Sequence, residues 1–442
     1  MRLPLRVKPI VWQTVLFFSI VSLILIVIRT TGLPGPLARL KNDINRVIPV
    51  ETERSRPVSK PAPEYVAPPI KDPFPALATS KLPPIPAYNV PEKDAWKKKY
   101  GLAVAPPLLI GFTRTWPMLL QTVVSYITSG WPPEQIYVVE NTGMQQANAR
   151  GQLTLQHPWF LNHTALKSLG VNIIQTPVLL SFAQLQNFYL SLSYQHEWPY
   201  YFWSHMDVLA LGYEDGLEDV TPKAGEPGYK SLYTLCLEEL DRTLANDDRW
   251  GLRFFAYDHL TLQNPVALED IGGWDTMIPY YMTDCDTYPR MDMRKWSQKS
   301  AKAGIITDTS VVLDDLMALY RDPKVTPKFT DPNPPPPKRE ENEEKPAPDM
   351  TDPIEYYRAL RRVADSMFHY KHGDRGRNTW QASQHGGQGE PFYYDADGFT
   401  EAINVLTDAG REIFRRKWGY PDCDLVSGAG VGFDDQWRVK EH

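Results

Sequence analysis

Short apolar runs alternate with amphipathic stretches over most of the chain after residue 107. Apolar runs bounded by turn residues are typical of buried strands, whereas apolar positions three or four residues apart are typical of helices. Because strands that alternate with helices form a largely parallel sheet, the pattern predicts an α/β domain with ligands at the carboxyl ends of the strands. Strands are predicted at 107–112, 136–141 and 171–177, and helices at 116–130, 181–195 and 231–245.

An aromatic run at 198–211 predicts a buried strand at the centre of this domain. His205 and Asp207 lie one residue apart in it, at the point where we expect burial to stop. Polar side chains at the carboxyl end of a strand indicate a binding site. A further strand is predicted at 253–262, and a last strand with its helix at 304–319.

Residues 10–28 contain no charged side chain and, as a helix, would be about as long as the hydrocarbon core of a membrane is thick. We expect a membrane anchor, with a cleaved signal peptide as the alternative. Residues 1–9 carry basic but no acidic side chains, which favours a cytoplasmic tail and a lumenal remainder. The proline-rich stretch at 29–100 has no steady apolar period, so we predict an extended stem.

A second break in the pattern covers residues 322–352, where successive prolines are followed by a run of charges. This composition predicts a disordered surface insertion, with a partner-binding tail as the alternative. Beyond it, apolar residues recur at helical spacing. We therefore predict a helical extension at 353–442 that packs on the main domain at 101–321.

The charge balance and the cysteine content argue against two classes of function. A net charge of −6 and the lack of a long basic tract argue against nucleic acid as the main partner. Three cysteines with no CxxC motif argue against a thiolate metal site and allow at most one disulfide. Asn162 begins an N-glycosylation sequon, which gives weak support to a lumenal location.

A series of short motifs follows in an order that is typical of a known family. The motifs are IYVVEN, FAQLQNFYL, FWSHMDVLAL, GGWD and TDCD. Their order resembles that of the GT-A nucleotide-sugar glycosyltransferases, and it is most similar to family-2-like members and to uncharacterised fungal type II membrane homologues. The resemblance implies a GT-A-like sheet flanked by helices, a nucleotide-sugar donor, a glycan acceptor and a place in the Golgi or ER membrane.

For the donor, the resemblance implies a group of side chains around the nucleotide diphosphate. Glu140 would accept hydrogen bonds from the base or ribose, and Arg114 would contact the diphosphate, although each could instead close a strand or cap a turn. The family's DxD motif holds a divalent ion, Mn²⁺ or Mg²⁺, whereas this chain has His205, Met206 and Asp207 in its place. The implied donor-binding residues are Arg114, Glu140, Asn187 and Asp207, and the implied metal ligands are His205, Asp207 and Asp308.

For the acceptor, the resemblance implies that Gly273 allows close backbone approach and that Trp274 packs on a sugar ring. A tight turn with a buried tryptophan is the alternative. Asp284 would be the general base that deprotonates the attacking hydroxyl, which would invert the anomeric centre. Because a threonine replaces the first acid of the family's motif, Asp286 or Asp275 could take this role instead.

Two other classes of function remain open on the sequence alone. A glycoside hydrolase needs two carboxylates that flank the scissile bond, and the order of strands and helices fits a nucleotide site better. A non-catalytic protein that binds glycans or a partner is the second alternative, because the first carboxylate of the metal motif is missing. The deciding observation is whether Asp207 and the acids of TDCD share one cavity.

Overall fold

The computed structural model of the 442-residue chain describes residues 57–59, 67–332, 334, 349–373, 385–392 and 395–440. The chain divides into two units, at 1–64 and 65–442, and every contact given below lies within the second. The predicted cytoplasmic tail and membrane anchor at 1–28 lie outside the described residues. Within the described ranges, no helix has both the length and the apolar character needed to cross a bilayer.

The strands of the described residues form two sheets. They are β1 (Leu108–Phe112), β2 (Ile136–Glu140), β3 (Asn172–Gln175), β4 (Tyr201–Ser204), β5 (Val208–Leu211), β6 (Trp250–Phe254), β7 (Leu260–Gln263), β8 (Ser297–Ser300) and β9 (Ile305–Asp308). The main sheet has seven strands in the order β3-β2-β1-β4-β7-β6-β8, while β5 pairs with β9 in a second sheet. Within the main sheet, β7 is antiparallel to both of its neighbours and the other pairs are parallel. The predicted α/β fold with a mostly parallel sheet is confirmed.

The aromatic run at 198–211 forms two strands rather than one. It breaks at His205 into β4, which joins the main sheet, and β5, which pairs antiparallel with β9. Both strands are buried along their whole length, so the apolar pattern carries no sign of the break. His205 and Asp207 therefore lie in a connection between two sheets.

Two other predicted elements also differ from the structure. The run at 253–262 contributes to a hairpin, in which β6 and β7 pair antiparallel around a turn at 255–259. Polar residues interrupt the apolar run at this turn. The stretch at 304–319 forms β9 and then a 3₁₀ turn at Leu316–Tyr320 in place of an α-helix.

The predicted helices at 116–130, 181–195 and 231–245 are confirmed. The described helices are α1 (Ala76–Thr79), α2 (Ala95–Lys98), α3 (Trp116–Thr128), α4 (Gln145–Ala149), α5 (His163–Ser168), α6 (Phe182–Gln195), α7 (Leu232–Asn246), α8 (Pro265–Asp270), α9 (Thr283–Met293), α10 (Pro353–His372) and α11 (Ala396–Trp418). Ser181 and Gln184 form a capping box that fixes the start of α6.

Helix α3 positions the connection between β4 and β5. The Thr122 hydroxyl lies 2.7 Å from the carbonyl oxygen of Met206 and 2.8 Å from that of Val208. Thr122 is fully buried, so these bonds are shielded from water. The backbone on both sides of Asp207 is thereby held in one conformation.

Residues 67–100 do not form the extended stem that their proline content predicts. Phe74 is 1% exposed, and its ring centroid lies 5.9 Å from that of Tyr320. The buried side chain of Asn89 donates hydrogen bonds to the Thr128 carbonyl and the Glu214 carboxylate. Single buried residues such as Phe74 and Asn89 produce no periodic pattern in a sequence. The packed domain therefore begins near residue 67 rather than at 101.

The predicted insertion at 322–352 also begins later than expected. The Tyr356 hydroxyl donates a 2.6 Å bond to the Val325 carbonyl, and Phe329 forms a bridge with Leu313. Residues 322–330 are thus part of the packed domain. Most of the remaining insertion lies outside the described residues.

The C-terminal helices pack on the main domain, as predicted. Helix α10 contacts β9, and its Tyr357 hydroxyl donates a 2.7 Å bond to the Gly212 carbonyl. A disulfide joins Cys285 in α9 to Cys423 beyond α11, and Cys236 is a buried free thiol. The expectation of at most one disulfide is confirmed.

Replacing Phe74 with alanine should lower the free energy of unfolding by about 3–5 kcal/mol, because it deletes a buried aromatic ring and leaves a cavity. Chemical denaturation followed by tryptophan fluorescence measures this. Val58→Ala is the control, because Val58 is 91% exposed. Equal stability of the two variants would mean that residues 67–100 behave as a stem after all.

Candidate active site

A cleft of about 380 Å³ opens at the carboxyl ends of β1, β2 and β4. Its volume is within the range of sites that hold a small molecule. Its polar lining includes Thr113, Arg114, Asn141, His205, Asp207, Asp258, His259, Asp284, Asp308 and Lys371, and its aromatic lining includes Phe182, Tyr189, Trp203, Tyr257, Tyr280 and Tyr281. Asp207 and Asp284, from two separate motifs, therefore share one cavity.

The β5–β9 pair brings Asp207 and Asp308 together. Val208 lies opposite Asp308 in the register, and the Thr309 amide donates a 2.8 Å bond to the Asp207 carbonyl. The two aspartate side chains are only 6% and 8% exposed. Buried carboxylates side by side repel each other unless a cation compensates for their charge.

Lys371, in the last turn of α10, supplies that cation. Its Nζ lies 2.6 Å from Asp207 Oδ2 and 2.5 Å from Asp308 Oδ1, and the Lys371 side chain is 5% exposed. Burial lowers the pKa of Lys371, but the two carboxylates more than offset this and raise it above its usual value. Conversely, burial raises the pKa of Asp207, but His205 and Lys371 hold it well below its usual range. His372 adds a contact of 2.9 Å from Nε2 to Asp308 Oδ2.

His205 carries a second positive charge in the cleft. Its Nδ1 lies 3.6 Å from Asp207 Oδ1, and its Nε2 lies 3.8 Å from Asp258 Oδ1. Burial lowers the pKa of His205, but the carboxylates of Asp207, Asp258 and Asp308 together raise it to about 9. The imidazole is therefore protonated at neutral pH. Burial and the charge on His205 lower the pKa of the neighbouring His259.

The turn between β6 and β7 is a part of the site that the apolar pattern did not predict. Three successive residues of this turn each reach a different polar group of the cleft. Tyr257 donates to Asp284, Asp258 approaches His205, and His259 Nε2 lies 3.9 Å from Asp308 Oδ2. The successive Tyr, Asp and His in the run at 253–262 could have indicated this turn, because a continuous buried strand does not carry three such residues in a row.

Asp284 is a half-buried carboxylate in the first turn of α9. A helix N-terminus stabilises a negative charge at this position. The Tyr257 hydroxyl donates a 2.6 Å bond to Asp284 Oδ2. Burial and the nearby carboxylate both raise the pKa of Tyr257, so its hydroxyl keeps the proton that it donates. Asp284 is thus an oriented acceptor that faces the cavity.

The predicted acceptor residues form a turn that does not line the cleft. Asn187 accepts a 2.9 Å bond from the Trp274 amide and donates a 2.8 Å bond to its carbonyl. Gly273 has a φ of 74°, and a Cβ there would come 2.7 Å from Asn187 Oδ1. Trp274 is 2% exposed, with its ring centroid 5.5 Å from that of Phe182, which does line the cleft. Asn187 and Gly273 therefore support the wall of the cleft, in line with the buried-turn alternative. Asn187 itself does not line the cleft, and its predicted contact with the donor remains a prediction.

The two alternative bases, Asp286 and Asp275, do not line the cleft either. Asp286 is fully buried and lies 2.7 Å from Arg290 Nη2 and 2.6 Å from Lys417 Nζ. Lys417 also lies 2.8 Å from Asp275. Arg290 donates to the Gly273 carbonyl at 2.8 Å. This network joins α9, the glycine turn and α11, so both acids are ion-paired within the fold, and a role of either as a base remains a prediction.

Glu140 is a buried carboxylate that does not line the cleft. Its carboxylate accepts bonds of 2.8 Å from Asn148 and 2.8 Å from Gln175, and it lies 2.9 Å from His163 Nε2. Burial raises the pKa of Glu140, but these bonds hold it below its usual value. The carboxylate organises the loop after β2, whose Asn141 does line the cleft. Its predicted contact with a base or ribose remains a prediction.

Arg114 lines the cleft, as predicted, and receives a contact from the C-terminal extension. Its guanidinium carbon lies 5.3 Å from the centroid of the Phe399 ring. Phe399 and Ile403, both from α11, line the same cavity. From the sequence, these helical residues were predicted only to pack on the main domain. Apolar spacing cannot show whether a helix face lies in the core or lines a cleft.

The predicted sequon residue Asn162 caps helix α5. Its side chain accepts a 2.9 Å bond from the Ala165 amide. Asn162 is half-buried. Glycosylation at this position remains a prediction.

The residues at the predicted metal site do not fit a divalent ion as they are arranged. His205, Asp207 and Asp308 do line one cavity, but Lys371 Nζ occupies the position between the two carboxylates. An ammonium and a divalent cation repel each other strongly at such distances. In the part of the chain that the structure covers, no three His, Cys, Asp or Glu side chains form a group that could hold a metal.

No known protein-family model and no curated protein matches this chain. Solved structures match part of it. One is a cytidylyltransferase from Leptospira borgpetersenii serovar Hardjo-bovis, with 13% identity and a TM-score of 0.26, over 46% of this chain and 81% of that chain. Another is the mannosyltransferase PcManGT from Pyrobaculum calidifontis in complex with GDP-Man and Mn²⁺, with 13% identity and a TM-score of 0.28, over 47% of this chain and 59% of that chain. This chain thus matches less than two thirds of the mannosyltransferase. At such low TM-scores neither likeness assigns a function.

Asp286→Asn should lower the free energy of unfolding by about 3–5 kcal/mol, because Arg290 and Lys417 would lose the carboxylate that they share in the interior. Asp284→Asn is the matched control in the same helix, and it should cost only about 1 kcal/mol, the worth of one hydrogen bond. Denaturant titration of both variants measures the difference. Two variants of equal stability would contradict the structural role of Asp286 and reopen its candidacy as a base.

Proposed function

We propose that this protein is a glycosyltransferase that moves a sugar from a nucleoside-diphosphate sugar to a hydroxyl group of a glycan or glycoconjugate. The main support is that Asp207 and Asp284 line a single cleft, with cationic side chains around Asp207 and, among the described residues, none paired with Asp284. A sugar transfer needs this division of charge. The leaving diphosphate is anionic, and the attacking hydroxyl must lose a proton to a base.

The donor diphosphate is proposed to bind beside Arg114, with Lys371 and protonated His205 behind it. The planar guanidinium of Arg114 suits phosphate oxygens, and its cation–π contact with the Phe399 ring helps to hold it in the cleft. Lys371 and His205 offset the charge of Asp207, which would otherwise repel the diphosphate. The aromatic walls of the cleft offer faces on which a base or a sugar ring can pack.

Asp284 is the proposed general base. As the acceptor oxygen attacks the anomeric carbon, its proton passes to the Asp284 carboxylate. The bond between that carbon and the diphosphate oxygen breaks, and its electron pair leaves with the diphosphate. The bond from Tyr257 orients the carboxylate. Attack opposite the leaving group would invert the anomeric centre.

The ion pairs of the cleft favour this single-base reaction over the hydrolase alternative. Hydrolysis of a glycoside needs a pair of carboxylates that act as acid and as base or nucleophile. Asp207 and Asp308 are both paired with Lys371, and Asp258 lies 3.8 Å from His205. Among the described residues, Asp284 is the cleft carboxylate that makes no ion pair, so one base and not two is ready to act.

We further propose a lumenal location in the Golgi or ER, with residues 10–28 as the membrane anchor. The Cys285–Cys423 disulfide supports an oxidising compartment, since such bonds are rare in the cytosol. The Asn162 sequon agrees with this location. Treatment of the cell-expressed protein with a glycosidase specific for N-glycans, with Asn162→Gln as control, tests it.

Nucleoside-diphosphate binding is the first test of the proposed function. UDP or GDP should stabilise the full-length protein in detergent against thermal unfolding, by about 2.7 kcal/mol at a hundredfold excess over the dissociation constant. Uridine and guanosine, which lack the diphosphate, are the matched control ligands. Arg114→Gln should weaken the binding at least about tenfold, since a charge-assisted hydrogen bond is lost. A folded protein that neither nucleotide stabilises would contradict the proposal.

Asp284→Asn should reduce turnover by about 10²–10⁴-fold, because the amide cannot accept the acceptor proton. UDP or GDP binding should stay unchanged, since the base acts on the acceptor. The measurement is transfer from a panel of nucleotide sugars, with titration calorimetry for the nucleotide.

Asp292→Asn is the matched control for that variant, because Asp292 lies exposed on the same helix outside the cleft. Full turnover by Asp284→Asn would mean that another group is the base. If the wild-type protein binds a nucleotide but transfers no sugar, the non-catalytic alternative is favoured. In that alternative, Lys371 compensates permanently for the charges of Asp207 and Asp308.

A further inference from the structure

The Lys371 ammonium lies at the position where the GT-A resemblance implies a divalent ion. It bridges one oxygen of Asp207 and one oxygen of Asp308, at 2.6 and 2.5 Å. Imidazole nitrogens approach the remaining oxygens: His205 Nδ1 lies 3.6 Å from Asp207 Oδ1, and His372 Nε2 lies 2.9 Å from Asp308 Oδ2. Each oxygen of the carboxylate pair therefore has a nitrogen partner from the chain itself.

The end of helix α10 keeps Lys371 in this place. Met367 is fully buried, Tyr370 is 6% exposed, and the preceding Tyr357 is bonded to the Gly212 carbonyl. The other side of the contact is the β5–β9 pair, which fixes the spacing of the two aspartates. A lysine held between two packed elements is a built part of the site, unlike a surface lysine that samples many rotamers.

We propose that Lys371 replaces the divalent ion of this site, so that the protein binds a nucleoside diphosphate without metal. The nucleotide part of this inference rests on the proposed function. Divalent ions of the Mg²⁺ type need ligand oxygens at about 2.0–2.1 Å, and both inner oxygens are already bonded to the ammonium. Burial of Lys371 also prevents solvent from screening its repulsion of a second cation.

Titration of Mn²⁺ alone, followed by its electron paramagnetic resonance signal, tests the role of Lys371 independently of any nucleotide. The wild-type protein should leave the signal of free Mn²⁺ unchanged. Lys371→Ala should create a site that binds Mn²⁺ at least about tenfold more tightly, because the two carboxylates lose their competing cation. Adding Asp207→Asn to Lys371→Ala should abolish the new site. Mn²⁺ binding by the wild-type protein that Asp207→Asn removes would overturn the proposal.

Lys417→Ala is the matched control for the loss of a buried lysine. Lys417 likewise bridges two aspartates, Asp275 and Asp286, but it lies outside the cleft. Both variants lose a buried ion pair, so both should be destabilised. In Lys417→Ala, however, Arg290 still pairs with Asp286, so this variant should gain no Mn²⁺ site. If Lys371→Ala does not fold, the wild-type titration and the nucleotide measurement below still decide the question.

Binding of UDP and GDP to the wild-type protein in EDTA and in Mn²⁺ gives the second, variant-free test. The dissociation constants should agree within about twofold, well below the tenfold change that corresponds to one lost interaction of ordinary strength. Binding that requires Mn²⁺ would overturn metal independence while leaving the proposed function intact. If neither nucleotide binds in either buffer, the proposed function fails, and the Mn²⁺ titration alone then decides whether Lys371 excludes the metal.

Discussion

Two buried aspartates held side by side are the constraint on which the cleft depends. The β5–β9 pair forces Asp207 and Asp308 together, and their burial makes an uncompensated pair of charges costly. The ammonium of Lys371 compensates for this charge, and it comes from a helix that is distant in sequence. The C-terminal extension is therefore part of the site and not an addition to it.

A second buried lysine ties the extension to the opposite wall of the cleft. Lys417 in α11 bridges Asp275 and Asp286, while Arg290 connects Asp286 to the glycine turn. The disulfide from Cys285 strengthens the same attachment. These contacts hold the start of α9 in place, and with it Asp284. Lys371 thus compensates for the paired aspartates at the proposed donor end of the cleft, and Lys417 fixes the helix that carries the proposed base.

The sequence predicted the α/β fold and most elements of the sheet, because hydrophobic periodicity reports which face of an element is buried. It could not show the break at His205, since the strands on both sides are buried alike. It also did not show the packing of residues 67–100, because single anchors such as Phe74 have no period.

Within the site, His205, Asp207, Asp284, Asp308 and Arg114 were predicted and all line the cleft. These residues could be predicted because a polar residue directly after an apolar run is recognisable in a sequence. Lys371 was not found, because a lysine in the last turn of an amphipathic helix is usually a solvated residue. For Asp286, the spacing showed an acid near a motif, but not the buried arginine and lysine that pair with it.

A crystal structure of the protein with UDP or GDP, grown in EDTA, would show directly where the diphosphate binds. We expect a diphosphate in the cleft between Arg114 and Asp284, with phosphate oxygens about 3 Å from the guanidinium. Lys371 should still bridge Asp207 and Asp308 in that structure. A nucleotide bound elsewhere on the protein, with the cleft closed to it, would rule out the proposed active site.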